Sequence, residues 1–145
     1  MKNFMIFMTL FCSLQIFAAN RTFSGHWVGM GSMLTDGSQS TNTISMEMTI
    51  VQTADEIQIY DCWETEMGTP CYKSTYQLVN GDQIYTNNSK IGDIYPYDMI
   101  IFNGHAQASE QMIFKLNEKN QLWYRYTFSS FDGKMQTRTG ILDPL

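Results

Sequence analysis

Few residues of this 145-residue chain have the chemical type needed for catalysis. Its two histidines, His26 and His105, are far apart, and no common nucleophile, zinc-hydrolase or phosphate-loop motif accompanies them. A serine, histidine and aspartate set can be assembled only from residues that have no relation in the sequence. Glu64 and Glu66 have the residue type for glycoside hydrolysis, but acidic side chains in loops are usually solvated. We therefore expect a protein that is not an enzyme.

The N-terminal segment has the pattern of a secretion signal. Lys2 provides a positive start, and a long apolar run then ends in two small residues, Ala18 and Ala19. The apolar run is too short for a stable membrane span. We predict a signal peptide over residues 1–19, cleaved after Ala19 or after Ala18. The mature domain, residues 20–145, is then secreted or periplasmic and has no membrane span.

Two cysteines, Cys62 and Cys71, remain once the signal peptide is removed. An even pair of cysteines in an exported chain predicts a disulfide. The alternation of side chains places both on the outward face of consecutive strands, so the bond would staple a hairpin across the Glu64–Pro70 loop. Two cysteines and two distant histidines are too few for a zinc site, so we expect no metal.

The charge pattern limits the classes of partner. The formal net charge is −5, and the Lys and Arg residues form no cluster. Nucleic acids and anionic membrane surfaces are both recognised through clustered basic side chains. The composition therefore excludes nucleic acid as a partner and argues against an anionic membrane surface.

Apolar and polar residues alternate along most of the mature chain, as in half-buried strands. In residues 42–52, for example, Ile44, Met46, Met48 and Ile50 share one face. The other segments with this pattern are residues 26–35, 56–63, 72–79, 83–86, 97–103, 109–117, 120–128 and 134–142.

The strands follow one another through tight turns, of which Asn80-Gly81 is the strongest hairpin signal. The least regular stretch, residues 87–96, is expected to be a loop with a broken strand. Eight or nine sequential strands can bury their apolar faces in an up-and-down antiparallel β-barrel or in a sandwich. The fold class is therefore all-β, in a single domain.

The first predicted strand contains the segment Gly25-His26-Trp27-Val28-Gly29-Met30-Gly31, a Gly-x-Trp-x-Gly-x-Gly pattern. This pattern resembles the opening strand of the lipocalin-like (calycin) β-barrels, which include the nitrobindin-type haem barrels. The resemblance favours a barrel over a sandwich. It implies that Trp27 plugs one end while Gly29 and Gly31 leave space above it. In such barrels a basic residue of a late strand packs across this tryptophan, and Arg138 is the best candidate for that structural role.

The same resemblance raises the question of haem. Nitrobindin-type barrels coordinate iron through a histidine on a late strand, and residues 134–142 contain none. His26 alternates with Trp27 and so points outward, while His105 lies in a predicted turn. Without an axial ligand the main bond to iron is lost, so we expect no cofactor. Avidin-like barrels share the Gly-x-Trp start, but the asparagine expected of them is absent, so biotin is not favoured.

Alternation also predicts which side chains face the interior. The residues assigned to ligand contact are methionines and aromatics: Trp27, Met46, Met48, Trp63, Tyr76, Tyr124, Tyr126 and Phe128. A packed core explains each of them singly, but Leu and Val would pack a dry core more uniquely. Inward tyrosine hydroxyls need partners, which a ligand or trapped water can provide. Asp61 shares this face near one mouth, either as a rim contact to a ligand or as a solvated carboxylate at a loop end.

Two functions remain open. The first is a secreted or periplasmic protein that carries or sequesters a small apolar or amphipathic molecule inside a β-barrel. The second is a secreted protein-interaction module, such as an inhibitor or an adhesion-type protein, with a filled core. Its loops, Glu64–Pro70 and Asn87–Pro96, would then contact the partner.

Overall fold

The computed structural model of the chain describes residues 22–35, 41–66, 68–105 and 108–145, and the predicted signal peptide lies outside them. The described residues form ten β-strands: β1 (Gly25–Thr35), β2 (Asn42–Gln52), β3 (Glu56–Trp63), β4 (Cys71–Val79), β5 (Gln83–Thr86), β6 (Ser89–Tyr95), β7 (Asp98–His105), β8 (Ala108–Leu116), β9 (Leu122–Ser130) and β10 (Met135–Pro144). Within this part of the chain, no helix has the length and apolar character needed to cross a membrane.

The strands close into one barrel. Each strand pairs antiparallel with the next along the chain, and β1 also pairs with β10. In that closing pair, Trp27 lies opposite Pro144 and Met33 lies opposite Arg138. The predicted all-β, lipocalin-like up-and-down antiparallel barrel is confirmed, with ten strands where eight or nine were expected, and the sandwich alternative is excluded.

The burial of β2 shows why the sequence pattern specifies these strands. Met46 and Met48 are buried, whereas their neighbours Ser45 and Glu47 are exposed. Successive side chains of a strand point to opposite faces, so the alternating sequence directs one set into the barrel. Other strands predicted from the same alternation, such as β3, show the same pattern of burial.

One strand was missed, because the prediction of a loop over residues 87–96 is wrong. This segment contains β6, which pairs with β5 and with β7. Asn87 and Asn88 connect β5 to β6 with φ angles of 48° and 63°. Asparagine tolerates this left-handed conformation better than most residues, so the Asn-Asn pair is a hairpin signal like the confirmed Asn80-Gly81 turn. A register shift between β5 and β6 interrupts the alternation that would have revealed the strand.

The end of the barrel near Trp27 is filled by protein. The Trp27 side chain is buried, as the plug interpretation required. A Cβ atom on Gly29 would lie 2.7 Å from the carbonyl oxygen of Ile141, and one on Gly31 would overlap Met46 Sδ. These glycines allow β10 and Met46 to pack closely against β1. The space above Trp27 is therefore occupied by the core and is not available to a ligand.

The predicted disulfide is confirmed. Cys62 and Cys71 are bonded to each other and are direct partners in the β3–β4 register, with their Cα atoms 4.2 Å apart. Cys71 is exposed and Cys62 is partly buried, so the bond lies towards the outside of the barrel. It ties the β3–β4 hairpin at the end of the barrel opposite to Trp27.

Candidate ligand-binding site

A cavity of about 750 Å³ opens at this second end of the barrel. Five aromatic side chains contribute to its wall: Trp63, Tyr72, Tyr76, Tyr126 and Phe128. Four ionisable side chains also line it: Asp61, Glu110, Lys134 and Arg138. This volume is in the range of sites that hold small organic molecules. The cavity is therefore large enough for a ligand, and its wall is both aromatic and polar.

The lining follows from alternation on the strands that reach this end. On β4, Tyr72, Ser74 and Tyr76 all line the cavity, because every second residue points inward. On β8, the line of inward residues runs from Glu110 near the mouth to Phe114, which is fully buried. β4 and β8 thus each contribute a side chain near the mouth and deeper ones below it.

A buried ion pair forms the floor of the cavity. Arg138 Nη1 lies 3.0 Å from Asp61 Oδ2, and both residues are buried. The hydroxyl of Tyr124 donates a hydrogen bond to the same Asp61 oxygen, at 3.0 Å. The expectation of a solvated Asp61 carboxylate at a loop end is therefore wrong. The residue lies in the middle of an inward-facing row of β3, and Arg138 and Tyr124 satisfy it there.

Arg138 does not lie near Trp27, so that part of the expectation is wrong. In the β1–β10 register, Trp27 lies opposite Pro144, six residues beyond Arg138, which is about 20 Å along a strand. The guanidinium carbon instead lies 3.5 Å from the centre of the Trp63 ring and 4.3 Å from that of Tyr126. Arg138 therefore packs against aromatic rings, but at the cavity end of the barrel.

Two atoms of the ion pair have no hydrogen-bond partner among the described residues. These are Asp61 Oδ1 and Arg138 Nε, and both atoms are buried. Burial raises the pKa of Asp61, although the positive charge of Arg138 and the hydrogen bonds from Tyr124 and Arg138 oppose that shift. Burial also raises the pKa of the Tyr124 hydroxyl well above its usual value, and the nearby Asp61 charge adds to this. The tyrosine thus remains a hydrogen-bond donor.

Nearer the mouth, the hydroxyl of Tyr126 donates a hydrogen bond to Glu110 Oε1, at 3.1 Å. Burial, followed by the charge of Glu110, raises the pKa of Tyr126 well above its ordinary value. Trp63 stacks with Tyr72, with ring centres 5.2 Å apart and planes inclined by 10°. Tyr72 is 62% exposed, so this stack extends the aromatic wall to the rim.

The structure brings together only half of the residues assigned to ligand contact. Trp63, Tyr76, Tyr126 and Phe128 line the cavity. The other four, Trp27, Met46, Met48 and Tyr124, are buried in the core and are not part of the cavity wall. Their contact with a ligand stays a prediction. Glu110 and Ser74 also line the cavity but were not assigned to ligand contact. Each lies an even number of residues from side chains of the same strand that alternation places inward.

The remaining residues with potential chemistry lie elsewhere. His26 Nε2 is 3.0 Å from Glu47 Oε1, at a partly exposed position. His105 is the last residue of β7 and pairs with Ala108, so its placement in a turn was wrong. In the described part of the chain, no three His, Cys, Asp or Glu side chains are grouped so as to hold a metal ion.

No family model matches the chain, and no curated protein matches it in sequence. Among solved structures, the chain is similar to the S-type phycobiliprotein lyase CPES of Guillardia theta. The TM-score is 0.63 and the identity 8%, over 85% of this chain and 88% of that one. Zebrafish ileal bile acid-binding protein, complexed with cholic acid, matches with a TM-score of 0.40 and 14% identity, over 85% and 98% of the chains. The siderocalin Ex-FABP matches with a TM-score of 0.30 and 10% identity, over 80% and 68%. The likeness to the lyase concerns the fold alone.

Proposed function

We propose that this protein binds a small amphipathic molecule inside its barrel. The observation that carries the proposal is the cavity of about 750 Å³ at one end of a barrel whose other end is filled. A module that acts only through its loops needs a filled core, so the cavity favours binding over that alternative. Arg138 is covered by rings and paired with Asp61, which supports a binding role rather than an enzymatic one.

The lining indicates an amphipathic rather than a purely apolar ligand. Rings such as Trp63, Tyr76 and Phe128 provide apolar surface for a hydrophobic body. Asp61 and Arg138 on the floor and Glu110 near the mouth provide polar groups inside the same cavity. A ligand without polar atoms would leave these groups without water and without new partners, which is unfavourable.

We further propose that the protein acts outside the cytoplasm. The Cys62–Cys71 bond supports this location, because disulfides persist in oxidising compartments. The predicted signal peptide over residues 1–19 supports it independently. Mass measurement of protein secreted by its native source would locate the cleavage site. A mature chain that retains its first residues would overturn this part of the proposal.

A cavity-filling variant tests the binding function. Ser74 lines the cavity through a small side chain on β4, whereas the adjacent Thr75 is exposed on the outer face. Ser74→Phe should remove most of the binding of an environment-sensitive apolar dye, because the new ring occupies the cavity. Thr75→Phe is the matched control and should bind the dye as the native protein does. Equal binding by both variants, or no saturable and displaceable binding by the native protein, would overturn the proposal.

A further inference from the structure

The charged side chains of the cavity differ in how they are paired, and this difference indicates the kind of ligand. Arg138 and Asp61 neutralise each other in the floor, at 3.0 Å. The guanidinium is also covered by the Trp63 and Tyr126 rings. An anionic ligand that replaced Asp61 as the partner of Arg138 would leave a buried carboxylate without its own partner. The buried arginine is therefore not a ready site for a carboxylate.

Glu110 is the charge that remains. Its carboxylate lines the cavity and accepts the Tyr126 hydrogen bond, and within the described residues it forms no salt bridge. The other cation of the lining, Lys134, lies at the rim with Nζ 3.2 Å from Asp132 Oδ2, and its side chain is 75% exposed. Among the charged side chains of the lining, Glu110 is thus the one without a salt-bridge partner in the described part of the chain. The net charge of −5 for the whole chain has the same sign.

Two aromatic residues are neighbours of Glu110. Phe128 is the direct cross-strand partner of Glu110, and Tyr126 is hydrogen-bonded to it. A carboxylate beside ring faces is a good environment for a cationic nitrogen, which gains a charge interaction and contacts with the π-systems. A carboxylate ligand at the same place would be repelled by Glu110.

We propose that the ligand carries a positively charged nitrogen, as a protonated or quaternary amine on an apolar body, and that Glu110 is the residue that selects it. This inference rests on the proposed binding function. It assigns the polar head of the ligand to the Glu110, Tyr126 and Phe128 region near the mouth. The apolar body then lies along the aromatic wall.

Three amphiphiles with the same alkyl chain test the inference: decyltrimethylammonium, decanoate and decanol. Each is titrated below its aggregation concentration, and binding is followed by displacement of the dye. The native protein should bind decyltrimethylammonium about ten- to a hundredfold more tightly than decanoate, as expected when a cation replaces an anion beside a carboxylate and aromatic rings. Glu110→Gln should remove most of this preference, because the amide keeps an oxygen that accepts the Tyr126 hydrogen bond but carries no charge. Glu118→Gln alters an exposed carboxylate in the β8–β9 turn at the opposite end and should leave the preference intact.

The outcomes separate the two proposals. Tighter binding of decanoate, or a preference for the cation that survives Glu110→Gln, would overturn the assignment of a cationic ligand while the binding function stands. Failure of the native protein to bind any of the three compounds or the dye would overturn the binding function itself. A circular dichroism spectrum of Glu110→Gln that matches the native spectrum shows that a lost preference is not caused by unfolding.

Discussion

Arg138 and Asp61 form a buried ion pair although β1 and β2 separate their strands in the barrel wall. Nη1 and Oδ2 lie 3.0 Å apart, and the Tyr124 hydroxyl donates to the same oxygen. The pair connects β3, β9 and β10 through side chains across the interior. Together with Tyr124, it joins three strands of the wall at the cavity end of the barrel.

Loss of the acceptor at position 61 should destabilise the protein strongly. Asp61→Ala leaves a buried guanidinium and a buried tyrosine hydroxyl without partners, and we expect a loss of about 3–5 kcal/mol in the free energy of unfolding. Asp61→Asn keeps an oxygen that accepts from Arg138 and Tyr124, so its loss should be clearly smaller. Urea unfolding of both variants measures the difference. Equal destabilisation by the two substitutions would show that the acceptor oxygen is not what matters.

The raised pKa of Asp61 predicts a pH dependence of stability. Because burial raises this pKa in the folded state above the ordinary value of 3.8, the folded protein holds the proton more tightly than the unfolded chain does. The stabilisation from this group is complete below pH 3.8 and is lost as the pH rises through the folded-state pKa. The free energy of unfolding of the native protein should therefore rise relative to that of Asp61→Asn when the pH is lowered from neutral into the acid range. The opposite trend would mean that Arg138 lowers this pKa more than burial raises it.

Removal of the disulfide should lower stability without changing the fold. The bond closes a loop of about ten residues, and the loss of this constraint on the unfolded chain corresponds to about 2–3 kcal/mol. Cys62 and Cys71 form the last pair of a β3–β4 ladder that begins at Glu56 and Gln77, so the other pairs still align the strands. The Cys62→Ala, Cys71→Ala double variant should retain the native circular dichroism spectrum and unfold at lower urea concentration. Reductant should weaken the native protein to the same extent and have no effect on the double variant.

Gly31 should not tolerate a side chain. A Cβ atom there would overlap Met46 Sδ and the carbonyl oxygen of Thr139, so β1 and β10 would have to move apart. Gly31→Ala should lower the free energy of unfolding by about 1–3 kcal/mol, as overpacking does. Met30→Ala on the same strand is the control, since Met30 is 60% exposed and its truncation should change stability by less than about 0.5 kcal/mol. If both variants are as stable as the native protein, the close approach of β10 is not a constraint.

The sequence by itself determined the strands, their faces and the position of the disulfide. A strand has a period of two, so the alternation around Met46 and Met48 reveals which side chains turn inward without any knowledge of the fold. The same argument placed Cys62 and Cys71 on one face. It failed at β6, where the register shift interrupts the alternation and the Asn87-Asn88 turn was not recognised.

Only the tertiary structure decided which inward residues meet. Alternation gives the face of a side chain but not its height in the barrel, which depends on the stagger of all ten strands once the sheet closes. That stagger places Arg138 beside Asp61 and Trp63, about 20 Å along the strand from the Trp27 level where the resemblance had implied a contact. It also leaves Glu110 in the cavity wall without a salt bridge to any of the described residues. The height of a side chain in the closed barrel decides which other side chains share its layer. It therefore also decides which end of the barrel is filled by protein and which end holds the cavity.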